Sequence, residues 1–278
     1  MIKCYIQFTP DKGAYKVKKN NYLSIRNKSV VKANELIQRS RFSLSLQQQK
    51  IVLYIIAQIK ETDEDFKLYD FDIREFCATC GIDYGSGNNY AEIKQQVQEI
   101  RDKSLWVPLP DGRETTVSWI KKPYINPKSG TIQISLDEDM KPYLLQLKNN
   151  FTKYELVYTL YFKSKYTIRL YELVKSIHYN ELETYERIYK TEELKKLLDA
   201  EIYTTYQHFR EKVLEKAIAE INEHSDKIIT YTPLKNCRTY DRIKITVSSK
   251  SIEETLRIRT AIDREMNYNS DQCSIFDD

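Results

Sequence analysis

One order of predicted elements occurs twice along this 278-residue chain, and that repetition restricts the possible folds more than any single motif. Each copy contains a long helix, a strand, a short helix, a second long helix and two strands, and the copies are offset by roughly 115–120 residues. A helix-turn-helix followed by a β-hairpin is the winged-helix arrangement. The sequence therefore predicts an α+β protein with two tandem winged-helix domains (helix-turn-helix plus β-hairpin wing) related by a pseudo-repeat. The alternative is two unrelated α+β domains, because the copies share few identical residues.

Apolar spacing and turn residues place the individual elements. Pro110-Asp111-Gly112 favours a hairpin, and Thr191 followed by two glutamates resembles a helix N-cap with acids in the first turn. In the first copy, helices are predicted over 33–40, 46–59, 74–80 and 89–103, and strands over 66–73, 105–108, 115–120 and 131–135. In the second copy, helices are predicted over 161–177, 191–198 and 205–222, and strands over 185–189, 227–232 and 242–248.

Charge is distributed unevenly around a net value of +4. Residues 1–32 hold eight Lys and Arg against Asp11 alone, whereas residues 251–278 hold three Arg against seven acids. A basic arm suits a phosphate backbone because binding releases counterions, although basic termini also serve as solubilising tails. The predicted organisation is a basic N-terminal arm over 1–29, a first winged-helix domain over 30–140, a linker over 141–152, a second winged-helix domain over 153–250, and a C-terminal helix with an acidic tail over 251–278.

The composition argues against a membrane or secreted protein. No apolar run approaches the roughly 20 residues needed to span a bilayer, and the first residues lack the continuous apolar stretch of a signal peptide. The five cysteines are odd in number and scattered, which fits reduced thiols better than a disulfide framework. We therefore expect a cytoplasmic protein with no membrane partner.

The residue patterns of catalysis are missing from the sequence. With six glycines and no Gly-x-x-x-x-Gly-Lys-Ser/Thr, the chain has no recognisable phosphate loop for ATP and is not expected to be a helicase. Its three histidines form no His-x-His pair, so the sequence lacks the metal site of a rolling-circle nickase. Cys77 and Cys80 form one CxxC without a second ligand pair, which favours buried thiols. We expect no enzyme activity, no metal and no cofactor.

The predicted helix over 205–222 has an apolar side and a polar side. Its apolar side consists of Phe209, Val213, Leu214, Ala217, Ile218 and Ile221. Base contacts of a recognition helix come mainly from its N-terminal part. The candidate DNA-binding residues are therefore Thr205, His208, Arg210, Glu211 and Lys212. For each of them the alternative is a solvated helix face, and Glu211 could also pair with neighbouring side chains.

The corresponding helix of the first copy offers Lys94, Gln95 and Gln98 on its outward face. Glutamine can pair bidentately with adenine, and lysine favours guanine or phosphate. Glutamine is also common on ordinary helix surfaces. The predicted wings add basic residues of the type that bind phosphates without reading sequence, namely Lys121 and Lys122 in one domain and Lys235, Arg238 and Arg242 in the other.

A third candidate site lies at the start of the predicted helix over 161–177. Lys163, Ser164, Lys165 and Tyr166 place several donors beside the positive end of that helix, which suits a phosphate clamp. The alternative is a basic first turn on a packed helix.

Two sequence blocks in the second copy resemble the plasmid replication initiator family. The first is Lys-Ser-Lys-Tyr-x-Ile-Arg-Leu-Tyr-Glu-Leu-Val-Lys from Lys163, and the second is Phe-Arg-x-Lys-Val-Leu-x-x-Ala-Ile-x-Glu-Ile-Asn from Phe209. Val-Val-Lys-Ala-Asn-Glu-Leu-Ile from Val30 is a typical opening of these initiators. The resemblance covers about residues 30–247, and it is more specific in the second domain than in the first.

This resemblance implies a tandem winged-helix initiator that binds double-stranded DNA at repeated origin sites called iterons. Such proteins bind iterons as monomers, open an adjacent AT-rich segment and recruit the host replication initiator and replicative helicase. Dimers in such families often repress their own gene, with the N-terminal domain mediating dimerisation. A homodimer in equilibrium with the monomer is accordingly expected.

The C-terminal tail carries a separate motif. Gln272-Cys273-Ser274-Ile275-Phe276 is similar to the bacterial sliding-clamp-binding pentapeptide Gln-Leu-Ser-Leu-Phe. In this hypothesis Gln272 orients the peptide, Ser274 matches the central serine, and Ile275 and Phe276 anchor it in a groove of the clamp. The alternative is a tail that packs nowhere.

Two other function classes stay open beside the initiator. A winged-helix transcriptional repressor, including an autorepressor of its own gene, would prefer an inverted repeat and leave the duplex closed. A nicking enzyme would cleave DNA with a metal ion, and the sequence offers no residues for that chemistry.

Overall fold

The computed structural model describes residues 25–82, 89–109, 111–126, 131–178, 180, 183–236 and 239–273. The elements of the first half are β1 (Ser29–Ala33), α1 (Asn34–Arg39), α2 (Leu46–Ile56), β2 (Tyr69–Asp72), α3 (Ile73–Cys80), α4 (Asn89–Asp102), β3 (Ser104–Pro108), β4 (Glu114–Ser118), β5 (Ile120–Asn126) and β6 (Thr131–Leu136). Those of the second half are α5 (Lys141–Leu144), β7 (Phe151–Glu155), α6 (Leu156–Tyr161), α7 (Lys165–Ile177), β8 (Tyr185–Lys190), α8 (Thr191–Leu197), α9 (206–224), β9 (Lys227–Asn236), β10 (Thr239–Ser249) and α10 (Ile252–Cys273).

Local side-chain chemistry sets the ends of the helices. Ser45 and Gln48 form a reciprocal capping box at the start of α2. Asp72 caps α3 by accepting a hydrogen bond from the Glu75 amide at 2.9 Å. Gly81 ends α3 with a φ of 65°, a left-handed conformation in which glycine avoids the steric penalty of a Cβ atom.

The strand order confirms two winged-helix domains related by a pseudo-repeat. The first domain forms a three-stranded sheet in the order β2-β6-β5, and the second forms one in the order β8-β10-β9. In each domain the first strand precedes two helices, α3 and α4 or α8 and α9, and the other two strands form the hairpin wing. The two copies therefore share their pairing pattern as well as their order of elements.

The first copy contains one hairpin more than the second. β3 and β4 pair antiparallel, as predicted, and the Gly112 amide closes the turn onto the Leu109 carbonyl at 3.0 Å. The prediction of one strand over 115–120 was wrong. Strand β4 ends at Ser118, before the buried Trp119. A separate strand, β5, begins at Ile120 and pairs with β6. The wing of the first domain is therefore β5–β6, and β3–β4 is an insertion.

A two-stranded sheet joins the beginning of the described chain to its middle. β1 and β7 pair antiparallel from Ser29 opposite Glu155 to Ala33 opposite Phe151. The predicted linker segment 141–152 thus contains α5 and the first residues of β7. The domain boundaries assigned from the sequence stay a prediction.

Two helix starts differ from the sequence-based expectation. The helix predicted over 161–177 begins at Lys165, where Ser164 caps it, and Tyr161 is instead the last residue of the separate helix α6. Thr191 is not an N-cap. Lys190 takes that position without a side-chain cap, and the Thr191 hydroxyl instead donates to the Tyr240 carbonyl at 3.1 Å.

A buried charged cluster, which we call the Glu172 cluster, links the two halves of the chain. The Glu172 carboxylate accepts hydrogen bonds from the Lys32 ammonium at 2.6 Å, the Arg169 guanidinium at 3.2 Å and the Tyr154 hydroxyl. Arg169 also packs over the Phe42 ring, 4.3 Å from its centroid. Burial opposes ionisation of Glu172, but the two cations outweigh it and hold the pKa of this carboxyl below its usual value.

The C-terminal helix α10 packs back onto the first domain. Ile262 and Met266 are buried. The Arg26 guanidinium donates to the carbonyls of Ala78 and Thr79 at the end of α3, and to the Asn267 side chain at 2.7 Å. α10 therefore ties the end of the second domain to the first.

The second domain contains a charged site at the turn between α9 and β9. Asp226 accepts hydrogen bonds from the Tyr171 hydroxyl at 2.8 Å and the Lys175 ammonium at 2.9 Å. Burial opposes ionisation of Asp226, but Lys175 and Lys227 outweigh it and keep the pKa of the carboxyl below its usual value. The ionised carboxylate therefore stabilises the folded state.

Asp226→Asn is expected to lower the free energy of unfolding by about 1.5–3 kcal/mol at pH 7, the range for hydrogen bonds to charged groups. Because the folded-state pKa is depressed, this contribution is present above the ordinary carboxyl pKa of about 3.9 and is lost as the pH falls through the folded value. Urea unfolding of both proteins between pH 7 and pH 3 measures the difference. A difference that stays constant down to pH 3 would contradict this account.

Candidate nucleic-acid interface

The apolar side predicted for α9 is buried and the polar side is exposed. Phe209, Val213 and Ile221 pack into the core of the second domain. Thr205, His208 and Lys212 lie on the exposed face, as the spacing predicts for a recognition helix. The helix is not uniform, however. Tyr206–Phe209 is an α-helical turn, Arg210–Leu214 is a π-helical turn, and Glu215–His224 is α-helical.

Arg210 forms ion pairs with two neighbouring carboxylates. Its guanidinium lies 3.1 Å from the Glu211 carboxylate and 3.4 Å from that of Glu215. Glu211 also accepts a hydrogen bond from Gln207 at 3.2 Å, and Glu215 accepts one from the Tyr231 hydroxyl at 2.8 Å. Arg210 and Glu211, both predicted to contact DNA, thus form a network with each other on the protein surface.

Thr205 caps the start of α9. Its hydroxyl accepts a hydrogen bond from the His208 amide at 3.2 Å. This contact gives Thr205 a structural role whether or not it reads a base. The His208 ring remains exposed on the same turn.

Thr205→Ala is expected to lower the free energy of unfolding by about 1 kcal/mol, the usual cost of losing an N-cap. Thr205→Ser and Thr205→Asp keep an oxygen in the capping position and should retain most of that stability. Thermal or urea unfolding of the three variants measures the effect. If the alanine and serine variants were equally stable, the cap would contribute nothing.

Aromatic contacts hold the second wing against α9. The rings of Tyr206 and Tyr240 stack with centroids 4.9 Å apart, and the Lys235 ammonium lies 4.8 Å from the centroid of Tyr240. Arg242 follows a β-bulge in β10 and is exposed beside Asp241. Arg238 lies outside the described residues. Sequence reasoning missed Tyr206 and Tyr240, because nothing in the spacing pairs a wing tyrosine with a helix tyrosine.

The first domain presents exposed polar residues on its second helix, α4, and on its wing. Ile93, Val97 and Ile100 are buried, and Lys94, Gln95 and Gln98 lie exposed on the outer face of α4, as the sequence predicts. The Gln95 amide donates to Glu99 at 3.0 Å. On the wing of this domain, the Lys121 ammonium is 3.7 Å from Glu138 and that of Lys122 lies 5.1 Å from the centroid of the Tyr124 ring.

The donors at the start of α7 already have acceptors within the protein. The Ser164 hydroxyl accepts from the Tyr166 amide at 3.2 Å, and the Lys163 amide donates to Glu220 of α9. The Lys165 ammonium is 2.6 Å from Asp199. Burial, with a contribution from the neighbouring Tyr203, raises the pKa of Tyr166 to about 12. The phosphate clamp at these four residues stays a prediction, and it would compete with these contacts.

Cys77 and Cys80 are buried and form no disulfide, and burial raises the pKa of Cys80 to about 11. Across the residues that the structure covers, no group of three or more His, Cys, Asp or Glu side chains is placed to hold a metal ion. Within the same part of the chain, no helix is both long and apolar enough to cross a membrane.

Ser274, Ile275 and Phe276 lie outside the described residues. Gln272 falls within α10, but its side chain is not described.

Comparisons with known proteins agree with this geometry. Residues 29–175 match the family model "Initiator Replication protein, WH1", and residues 190–247 match "Initiator Rep protein, WH2". A replication initiation protein from Escherichia coli is 26% identical over 246 residues, which cover 86% of this chain and 71% of that protein. The fold is similar to that of the Pi initiator protein in its crystal structure with iteron DNA, with a TM-score of 0.66 and 20% identity over 81% of this chain and 99% of the other. Because the first model alone matches more than half of the chain, this protein belongs to the family of replication initiator proteins with two winged-helix domains.

Proposed function

We propose that this protein starts plasmid DNA replication by binding direct repeats, or iterons, at the origin as a monomer. Bound there, it opens an adjacent AT-rich segment and recruits the host replication initiator and replicative helicase. The observation that carries the proposal is the pair of exposed recognition-type helices, α4 and α9, in two domains of the same topology. The Pi initiator, whose fold is similar, has been crystallised with iteron DNA.

The arrangement of the two domains suits a direct repeat. One chain carries two unlike recognition surfaces, so a monomer has no two-fold axis and matches a site without palindromic symmetry. The C-terminal helix α10 holds the end of the second domain against the first, and Arg169 of the Glu172 cluster donates to the Leu197 carbonyl of the second domain at 3.3 Å. These contacts fix the spacing between the two parts of each site. A two-fold dimer would instead match an inverted repeat, which suits repression of the protein's own gene.

The proposal includes no catalytic step and no cofactor. It places the protein in the cytoplasm, where origin DNA and the host replication proteins are. We also propose that the C-terminal pentapeptide binds the sliding clamp and that the protein is in equilibrium between monomer and homodimer. Each of these has a direct test: binding of a Ser270–Asp278 peptide to the clamp, and sedimentation of the full chain over a range of concentrations.

Footprinting on the DNA around the protein's own gene tests the main proposal, with a single-strand-specific probe included and the salt concentration varied. The expected result is protection of evenly spaced direct repeats, with reactive bases in a neighbouring AT-rich stretch. His208→Ala combined with Lys212→Ala should abolish protection. Lys148→Gln, at an exposed position between the domains, is the matched control and should leave it unchanged. Protection of only an inverted repeat in a closed duplex would indicate a repressor, and no protection at any salt would refute both functions.

A further inference from the structure

Two rows of side chains run along the exposed face of α9, and they differ in their contacts. His208, Lys212 and Lys216 form the first row, which we call the basic row, and all three are exposed. Gln207, Glu211 and Glu215 form the second row. Their side chains are bound to one another, to Arg210 and to Tyr231, as described above. Among the residues that the structure covers, none pairs with the side chains of the basic row.

The spacing of the apolar residues explains why the π-helical turn occurs in this helix. Phe209, Val213, Ala217 and Ile221 are buried and recur every four residues. In a regular α-helix with 3.6 residues per turn, residues four apart are displaced by about 40° around the axis. A strict four-residue repeat would therefore wind away from the core. In the wider turn Arg210–Leu214, the Glu215 amide donates to the Arg210 carbonyl. Because a π-helical turn contains more residues than an α-helical turn, it cancels most of the rotation of the apolar residues around the axis and keeps them facing the core.

The same turn straightens the basic row, because its members are also four residues apart. Residues 208, 212 and 216 then lie nearly in line along the axis instead of curving around the helix. At 1.5 Å per residue, the row extends about 12 Å from its first member to its last. The major groove of B-DNA is also about 12 Å wide. A helix end that inserts His208 among the base edges would therefore bring Lys216 to the phosphates at the border of the groove.

We propose that the π-helical turn aligns His208, Lys212 and Lys216 as the DNA-contacting row of α9, and that Lys216 binds a backbone phosphate. This inference rests on the proposed function and makes it more specific. It adds Lys216, which lies beyond the N-terminal part of the helix, to the candidate DNA-binding residues. It also assigns Arg210 and Glu211 to holding the neighbouring row rather than to base contacts.

Titration of the full chain with iteron DNA and with unrelated duplex DNA, at several salt concentrations, tests this role. Lys216→Gln should weaken binding to both duplexes by a similar factor of about 3–10 and reduce the slope of log affinity against log salt by about one, because one phosphate contact is lost. Lys216→Arg should retain binding. His208→Ala should weaken binding to iteron DNA selectively, since it removes a base contact. Lys148→Gln is the control for loss of one exposed positive charge.

A second variant tests the row itself. Lys216→Gln combined with Ala219→Lys keeps the net charge and moves the lysine to an exposed position on the neighbouring row. It should bind as weakly as Lys216→Gln alone. The proposal is overturned if this double variant restores binding. It is also overturned if the wild type protects direct repeats but Lys216→Gln shows the same slope of log affinity against log salt as the wild type. Failure of the wild type to bind the repeats would remove the proposed function together with this inference.

Discussion

Glu172→Ala is expected to lower the free energy of unfolding by about 3–5 kcal/mol, because it leaves two buried cations without their counter-charge. Lys32 and Arg169 both lie inside the protein, 3% and 5% exposed, and both hydrogen-bond to this carboxylate. Burial lowers the pKa of Lys32, and Glu172 opposes that shift. Without the carboxylate, Lys32 must give up its proton or draw water into the junction between the halves of the chain. Urea unfolding at pH 7 measures the loss.

Glu35→Ala is the matched control for Glu172→Ala. The Glu35 carboxylate pairs with Arg39 at 3.5 Å on the surface of the same region, where the side chains are 44% and 63% exposed, so its removal should cost less than about 1 kcal/mol. Replacing the whole cluster by Lys32→Met, Arg169→Met and Glu172→Leu should recover much of the loss, since buried ion pairs are often no more stable than apolar packing. Equal effects of Glu172→Ala and Glu35→Ala would show that the Glu172 cluster does not stabilise the junction between the halves of the chain.

Ile262→Asp is expected to detach α10 from the first domain. Ile262 is buried, and a carboxylate there would have to lose its water without gaining a partner. The helix should undock instead, which exposes both Ile262 and Met266 and lowers the free energy of unfolding by roughly 3–6 kcal/mol from the two side chains. Hydrogen exchange should show unprotected amides along α10, and urea unfolding should give the loss of stability.

Ala261→Asp places the same charge on the exposed side of α10 and serves as the control. It should change stability by no more than about 0.5 kcal/mol, as surface substitutions usually do. DNA binding gives a further readout, because an undocked α10 no longer fixes the second domain to the first. Protected α10 amides in the Ile262→Asp protein would mean that the helix is held by other contacts.

The parts of the fold that follow from local spacing were predictable. The helices near α2, α4 and α9 and the order of elements in both copies follow from apolar periodicity and turn residues. The pairing of β1 with β7 could not be predicted, because Ser29 and Glu155 are far apart in sequence and neither strand has a partner nearby in the sequence. The first wing was misplaced for a related reason. Trp119 and Ile120 extend the apolar stretch after β4, and only the strand pairing shows that β4 ends at Ser118 and that a new strand begins at Ile120.

The sequence predicted which face of α9 is exposed, but not which contacts the side chains on that face make. The polar side of α9 follows from its periodicity, whereas the hydrogen bonds of Arg210 with Glu211 and Glu215 depend on rotamers that spacing does not determine. The four-residue repeat from Phe209 to Ile221 was visible in the sequence. It indicates an underwound helix, and comparing it with the 3.6-residue period would have pointed to the π-helical turn and to Lys216.

The closure of the first domain by distant segments affects how the chain folds during synthesis. β1 leaves the ribosome before its partner β7, which follows more than a hundred residues later, on the order of ten seconds at usual elongation rates. Arg26 must wait longer still, until Asn267 has been made. The nascent first domain therefore keeps an unpaired strand edge until β7 has been made, and an uncovered apolar surface until α10 follows the second domain. The domain that is encoded first is the last to be completed.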